Sequence, residues 1–154
     1  MVTDKLTADT ISLLKECGAG VEMAIKSLDE VLDVVENPEL KKLLESSKND
    51  HENIGRGIKD ILDSYDREPK ELSPMAKAMS WTKINVKIAA DKNDSTVADI
   101  MTDGCAMGIK TLCKYKNEYK NADRQSVETA EKIIKTLFLN CENICKYFVN
   151  IMIF

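Results

Sequence analysis

The chain has 154 residues, of which 44% are apolar and 31% are charged, and its net charge is −4. This length suits one domain with a single continuous core, and the mixture of apolar and charged residues is typical of a folded helical protein rather than a disordered one. The acidic balance and the mixed signs argue against recognition of nucleic acid or phosphate by simple electrostatics.

The two ends of the chain and the cysteines bear on its location. The first ten residues have no apolar stretch of the kind found in a secretory signal, and no apolar run approaches the roughly 18 residues that cross a bilayer. The apolar end, residues 147–154, is expected to extend the last helix or to dock on a neighbouring surface. The five cysteines are irregularly spaced, and no secretory signal is predicted, so we expect their thiols to be reduced. We therefore expect a cytoplasmic protein.

The first half of the chain predicts two long helices. Apolar residues recur at alternating steps of three and four, which indicates a helix over about 9–36 that opens at Thr7 or Asp9. Asn37 ends it, because a residue before proline avoids the helical region, and Pro38 then suits the first turn of the next helix. The second helix is predicted over about 38–65.

The second half predicts two more long helices and a short one. Ser73 is the expected cap of a short helix over about 74–91 that contains Trp81. The third long helix is predicted over about 94–120 and the last over about 123–150, and no segment indicates a strand. Ile100 and Met107 lie nearly opposite the main apolar stripe of the third long helix, so we expect the short helix to cover that second side.

Loop lengths suggest how the helices are connected. Helices of this length would be about 40 Å tall, and the tight connections near Pro38 and Ala122 each predict an antiparallel hairpin. Almost 30 residues separate the hairpins, which is enough chain to run back along the bundle. An up-down bundle with an appended helix is the alternative.

The helix lengths, the long crossover and the mid-bundle His51 resemble the ferritin-like four-helix class. The segments Pro74–Trp81 and Asp99–Lys110 are also similar to segments of small uncharacterised bacterial helical proteins. The resemblance implies an all-α, ferritin-like four-helix bundle with a short crossover helix between the second and third long helices.

Ferritin-like di-iron sites take one glutamate from each of two helices and a Glu-x-x-His pair from each of the other two. Carried onto this chain, Glu22 matches the first glutamate and His51 the first histidine, but Lys48 stands where the paired glutamate belongs. On the last helix Glu131 has suitable spacing, but Ile134 replaces the histidine. At most half of the ligands are found, so we expect no di-iron site and no cofactor.

All six glycines lie within predicted helices, where each costs about 1 kcal/mol relative to alanine. They form three close pairs: Gly18 and Gly20, Gly55 and Gly57, Gly104 and Gly108. The first two pairs should lie at one level of the first hairpin, since they are equally distant from its turn. We interpret them as sites of close packing between helices, and a gap that holds a ligand or a bulky side chain is the alternative.

His51 is the only histidine and lies on a core position beside Ser47. A buried imidazole needs partners for its nitrogens, which Glu22 or Ser47 could supply. We interpret it as a satisfied core histidine, with a ligand or proton-transfer role as the alternative. Cys141, Cys145 and Cys105 are candidate ligands of a soft metal ion, because thiolates select copper(I). Since the chain has no Cys-x-x-Cys motif, we expect them to be ordinary buried hydrophobes.

The sequence therefore predicts a non-enzymatic bundle with a structural or protein-interaction role. A homo-oligomer is expected, with a dimer favoured, because of the apolar tail Val149–Phe154 and the second apolar side of the third long helix. The alternatives are a degenerate ferritin-like metal or small-ligand binder centred on His51 and Glu22, and a carrier of apolar ligands in the glycine layer.

Overall fold

Four long helices form the structure, a computed structural model that describes residues 2–70, 84, 88 and 91–153, with side chains described between residues 7 and 147. The helices are α1 (Val2–Leu32), α2 (Pro38–Ser64), α3 (Asp94–Glu118) and α4 (Arg124–Ile153). No strand occurs in the described part of the chain. The predicted all-α fold with four long helices is confirmed. No described helix is long and apolar enough to pass through a bilayer.

Helix α1 begins seven residues before the predicted position 9, at Val2. Asp9, one of the two predicted helix starts, has a different role, and so does the neighbouring Thr10. Asp9 Oδ2 accepts hydrogen bonds from Asn121 N at 2.9 Å and Asn121 Nδ2 at 3.0 Å, and Thr10 Oγ1 accepts one from Asp123 N at 2.7 Å. These side chains hold the α3–α4 turn against α1 rather than capping the helix.

The upper end of the bundle is the α1–α2 turn. Asn37 has an extended backbone before Pro38, and its side chain accepts hydrogen bonds from the first backbone N–H groups of α2. The carboxylate of Asp94, the first residue of α3, accepts hydrogen bonds from Glu36 N at 2.8 Å and Asn37 N at 2.9 Å. The start of α3 therefore lies beside the end of α1.

The lower end of the bundle brings the end of α2 to the α3–α4 turn. Tyr65 follows α2 and donates a hydrogen bond from its hydroxyl to Asp123 Oδ2 at 3.2 Å. Asp123 Oδ1 also accepts from Ser126 N at 2.8 Å in the first turn of α4. It follows that α1 and α4 run upward, whereas α2 and α3 run downward.

The connection between α2 and α3 joins opposite ends of the bundle, because α2 ends at the lower end and α3 begins at the upper one. The short helix predicted over 74–91 falls almost wholly outside the described residues. Ile84 and Ile88 are described, and both are buried in a cluster that includes Ile100. The second apolar side of α3 is thus covered at Ile100, whereas Met107 is 62% exposed.

The apolar core has two parts. The upper cluster includes Leu28, Leu44, Met101 and Ile144, one residue from each helix. The lower cluster has the equivalent set Val21, Ile54, Cys105 and Leu137. On α2 and α4, buried polar residues lie between the two clusters.

Candidate functional site

Three buried polar residues form a layer between the two apolar clusters, which we call the polar layer: Ser47 and His51 of α2 and Asn140 of α4. His51 is 2% exposed, and its Nδ1 lies 2.8 Å from the backbone oxygen of Ser47. Since a carbonyl only accepts, Nδ1 is the donor in this contact. Asn140 Nδ2 donates to Ser47 Oγ at 2.7 Å.

His51 Nε2 is buried without a hydrogen-bond partner. Such groups are rare in folded proteins, because an unpaired buried polar atom costs about 1–3 kcal/mol. Ser47, one of the two predicted partners of His51, does bind the ring, and it does so through its backbone oxygen. Glu22 is not the second partner, since its Oε1 accepts from Lys26 Nζ at 2.6 Å and its side chain is 43% exposed.

The α2 members of the polar layer were visible in the sequence as polar positions within an apolar stripe. Asn140 was missed. The apolar spacing of α4 favours Cys141 as the buried residue at this level, whereas the neighbouring Asn140 is buried and Cys141 is only half-buried. The useful signal was Ser47 on the facing helix, because a buried hydroxyl needs a polar partner.

A groove of about 460 Å³ lies outside the polar layer, between α2 and α4. Its α2 wall is formed by Glu39, Lys42, Leu43, Ser46 and Asp50, and its α4 wall by Thr136, Leu139, Asn140 and Asn143. Asn140 belongs both to the groove and to the polar layer, so it connects a surface recess with the interior.

The remaining ferritin-like candidate, Glu131, lies at the surface and binds Lys116 Nζ through Oε1 at 2.7 Å. The structure therefore places Glu22 and Glu131 in separate surface ion pairs and leaves His51 inside the bundle. Within the described ranges, no three His, Cys, Asp or Glu residues are grouped so that they could hold a metal ion.

The glycines of the first hairpin divide into packed and open positions. A Cβ on Gly18 would lie 3.4 Å from Ile58 Cγ2, and one on Gly55 would lie 3.3 Å from Val21 Cγ1. These two face the opposite helix about one turn apart, and side chains fill the space beside them. A Cβ on Gly20 or Gly57 would meet nothing within 4 Å.

The second hairpin has the tightest glycine contact. A Cβ on Gly108 would lie 2.9 Å from Leu137 Cδ1, closer than real Cβ atoms approach a neighbour, whereas Gly104 faces open space. Gly108 thus allows α3 and α4 to pack closely around Leu137. Of the six glycines, only Gly18, Gly55 and Gly108 lie at helix contacts.

The cysteines are all free thiols. Burial raises the pKa of Cys17 to about 12, and burial also raises the pKa of Cys105 to about 12, with a smaller contribution from Cys141 and Cys145. Both thiols are therefore protonated near neutral pH and resemble small hydrophobes. The expectation of burial is wrong for Cys145, which is exposed, as is Cys113, and Cys141 is only half-buried.

Large apolar side chains are exposed in the middle of α4. Phe138 and Leu139 are adjacent in the sequence, and they are 59% and 49% exposed. They belong to a stripe of exposed residues that we call the outer face of α4: Glu131, Lys135, Phe138, Leu139, Glu142 and Lys146. The side chains of the apolar tail, Val149–Phe154, lie outside the described residues, although the backbone of α4 is helical to Ile153.

Comparison with known families matches residues 9–118 to a family described as a domain of unknown function, DUF2383. That range is 110 of the 154 residues of the chain. The chain belongs to the DUF2383 family. The DUF2383 match covers α1 from Asp9, α2, the connection and α3, so it contains Ser47 and His51 but neither Asn140 nor the outer face of α4. No curated protein and no solved structure matches the chain.

Proposed function

We propose that the protein is a non-enzymatic bundle that acts through protein–protein contact and associates with itself through α4. The observation that carries this proposal is the exposure of Phe138 and Leu139 at the middle of the outer face of α4. Adjacent large apolar side chains on the surface of a helix favour an interface, because covering them removes apolar area from water.

The polar groups of the interior support a non-enzymatic role. Ser47 uses its hydroxyl and its backbone oxygen to hold Asn140 and His51. Cys17 and Cys105 are protonated thiols, which are poor nucleophiles. The hydrogen-bonded side chains and the two thiols therefore contribute to the packing of the helices, and we assign no catalytic residue.

We also infer that the bundle is wired as in ferritin-like proteins. The directions of α1 to α4 support this, since two antiparallel hairpins are joined by a connection that runs from the lower to the upper end. Ile84 and Ile88, four residues apart and both buried in the upper cluster, suit one face of a crossover helix between the hairpins.

The proposed association is tested with the double variant Phe138→Ser, Leu139→Gln. Light scattering over a concentration series should give a dimer for the wild-type protein and a monomer for this variant at the same concentrations. Met107→Ser removes an equally exposed apolar side chain from α3, and it should leave the dimer intact if the interface lies on α4 rather than on the second apolar side of α3. A wild-type protein that is monomeric at every concentration would overturn the proposal.

A second candidate function is binding of a metal ion or a small polar molecule by His51. The unpartnered Nε2 favours it, and so does the hydrogen bond from Nδ1 to the Ser47 carbonyl, because metal-binding histidines are commonly held by such a bond. Metal analysis and native mass spectrometry of the purified protein test this role. A stoichiometric ligand that is lost in His51→Gln would support it, and a ligand-free wild-type protein would reject it.

A further inference from the structure

The outer face of α4 has a charge pattern that reverses about its centre. Lys135 lies three residues before Phe138, and Glu142 lies three residues after Leu139. Further out, Glu131 and Lys146 repeat the arrangement with the opposite order of signs. Each of these four charges is thus matched, at equal distance on the other side of the apolar pair, by one of opposite sign.

We propose that the occupant of this face is a second copy of the chain, whose α4 packs antiparallel against the first about a two-fold axis beside Phe138 and Leu139. This inference rests on the proposed self-association and adds its geometry. A two-fold axis makes the same surface contact itself, so the surface must be self-complementary. A pattern that inverts its charge about an apolar centre has that property.

The two-fold axis sets which residues meet. Two antiparallel helices related in this way bring residues at equal distance from the centre to the same level. Lys135 of one copy then faces Glu142 of the second copy, and Glu131 faces Lys146 of the second copy. A parallel arrangement would instead place each charge opposite its own kind.

The charges of the outer face also have partners within the chain, and these are compatible with the dimer. Lys146 binds Glu142 at 3.2 Å within α4, and Lys116 binds Glu131 at 2.7 Å. The side chains of Glu142 and Glu131 remain 58% and 55% exposed. A carboxylate accepts more than one hydrogen bond, so a lysine from the second copy extends these pairs into a network.

The chemistry of the face argues for this occupant over a membrane or a nucleic acid. Both alternatives select for an excess of positive charge, whereas the outer face has two lysines and two glutamates beside its apolar pair. A balanced, alternating pattern instead favours a partner with the same pattern in the opposite direction.

Charge-reversal variants test the pairing, because Lys135 and Glu142 are too far apart along α4 to bind each other. Lys135→Glu alone places two like-charged contacts in each dimer, and Glu142→Lys alone does the same. Each purified variant should associate about tenfold or more weakly than the wild-type protein. Lys41→Glu, the same charge change at an exposed position of α2, should not weaken association.

Mixing the two variants is the decisive step. A Lys135→Glu chain and a Glu142→Lys chain together form two opposite-charge pairs, so native mass spectrometry at low salt should show a heterodimer in preference to either homodimer. High salt should reduce this preference. Circular dichroism checks that both variants stay helical.

The outcomes separate the geometry from the proposed function. If the wild-type protein is a dimer and neither single variant weakens it, the α4 pairing is wrong and self-association stands. If the variants weaken it and mixing restores nothing, the antiparallel two-fold arrangement is wrong. If the wild-type protein is a monomer throughout, the proposed function itself fails.

Discussion

At the scale of single residues, the interior has a polar layer between two apolar clusters. Ser47 is central to it, since its hydroxyl accepts from Asn140 and its carbonyl accepts from His51. The layer links α2 to α4, which belong to different hairpins. Because a hydrogen bond is directional, the bond from Asn140 to Ser47 constrains the relative height and rotation of the two helices, whereas the bond from His51 to Ser47 lies within α2.

Removal of Asn140 tests the energetic role of the layer. Asn140→Ala leaves Ser47 Oγ without its donor in a buried place and opens a small cavity, so the free energy of unfolding should fall by about 1–3 kcal/mol. Asn143→Ala is the matched control, because Asn143 is exposed on the same helix and should change stability by less than about 0.5 kcal/mol. Urea unfolding measures both, and equal losses would contradict the assignment.

The thiols give a second test at this scale. A thiolate is the reactive form of cysteine, and the pKa of Cys17 and of Cys105 is raised to about 12 by burial. Both should therefore resist alkylation of the native protein up to about pH 9, whereas Cys113 and Cys145 are exposed and should react first. Mass spectrometry of labelled peptides reads the order, and early labelling of Cys17 or Cys105 would contradict the described core.

At the scale of helices, the glycines have two different roles that sequence alone could not separate. Gly108 faces Leu137 across the second hairpin, whereas Gly104, one turn earlier on α3, faces open space. Spacing placed both within a helix, but only the rotation of α3 against α4 decides which of them meets a neighbour. A helical glycine without a neighbour brings no packing advantage to offset its low helix propensity.

Alanine substitutions distinguish these roles. Gly104→Ala should raise the free energy of unfolding by about 0.5–1 kcal/mol, because alanine favours the helix and the added Cβ meets nothing within 4 Å. Gly108→Ala should not raise the free energy of unfolding in this way, since Leu137 must move to make room for the Cβ. Thermal and denaturant unfolding compare the two. Equal stabilisation would mean that Gly108 does not set the separation of α3 and α4.

Helix α4 shows where prediction from sequence ends. The predicted apolar stripe of α4 is partly right, because its members Ala130, Leu137 and Ile144 are buried, whereas Val127, Ile134 and Cys141 are only half-buried. The buried face shares the first three residues and contains Ile133 and Asn140 in addition. Both sets have the same three-and-four spacing, so apolar content alone does not choose between them. Only the polar groups of α2 distinguish them.

At the scale of the whole molecule, the direction of each helix follows from contacts at the two ends of the bundle. The short turns and the long connection predicted two hairpins, and this part of the architecture follows from loop length. The contacts that fix the hairpins against each other, Asp94 to the α1–α2 turn and Tyr65 to Asp123, join residues more than 50 positions apart. No local sequence pattern reports contacts of that range.

Loss of Asp94 should loosen the upper end of the bundle. Asp94→Ala removes acceptors from Glu36 N and Asn37 N, and we expect a loss of about 1–2 kcal/mol in the free energy of unfolding. Asp91→Ala is the control, because Asp91 is exposed and only three residues earlier. Faster hydrogen exchange at residues 36 and 37 should accompany the loss in the Asp94 variant alone, and unchanged exchange there would contradict the contact.

The association of two copies through α4 is tested most directly by cross-linking. In a protein with Cys113 and Cys145 replaced by serine, Leu139→Cys places a thiol beside the two-fold axis and keeps Phe138. After mild oxidation, electrophoresis without a reducing agent should show a high proportion of disulfide-linked dimer. The control variant Lys41→Cys in the same background should remain monomeric. Equal, low cross-linking of both variants would contradict an interface on the outer face of α4.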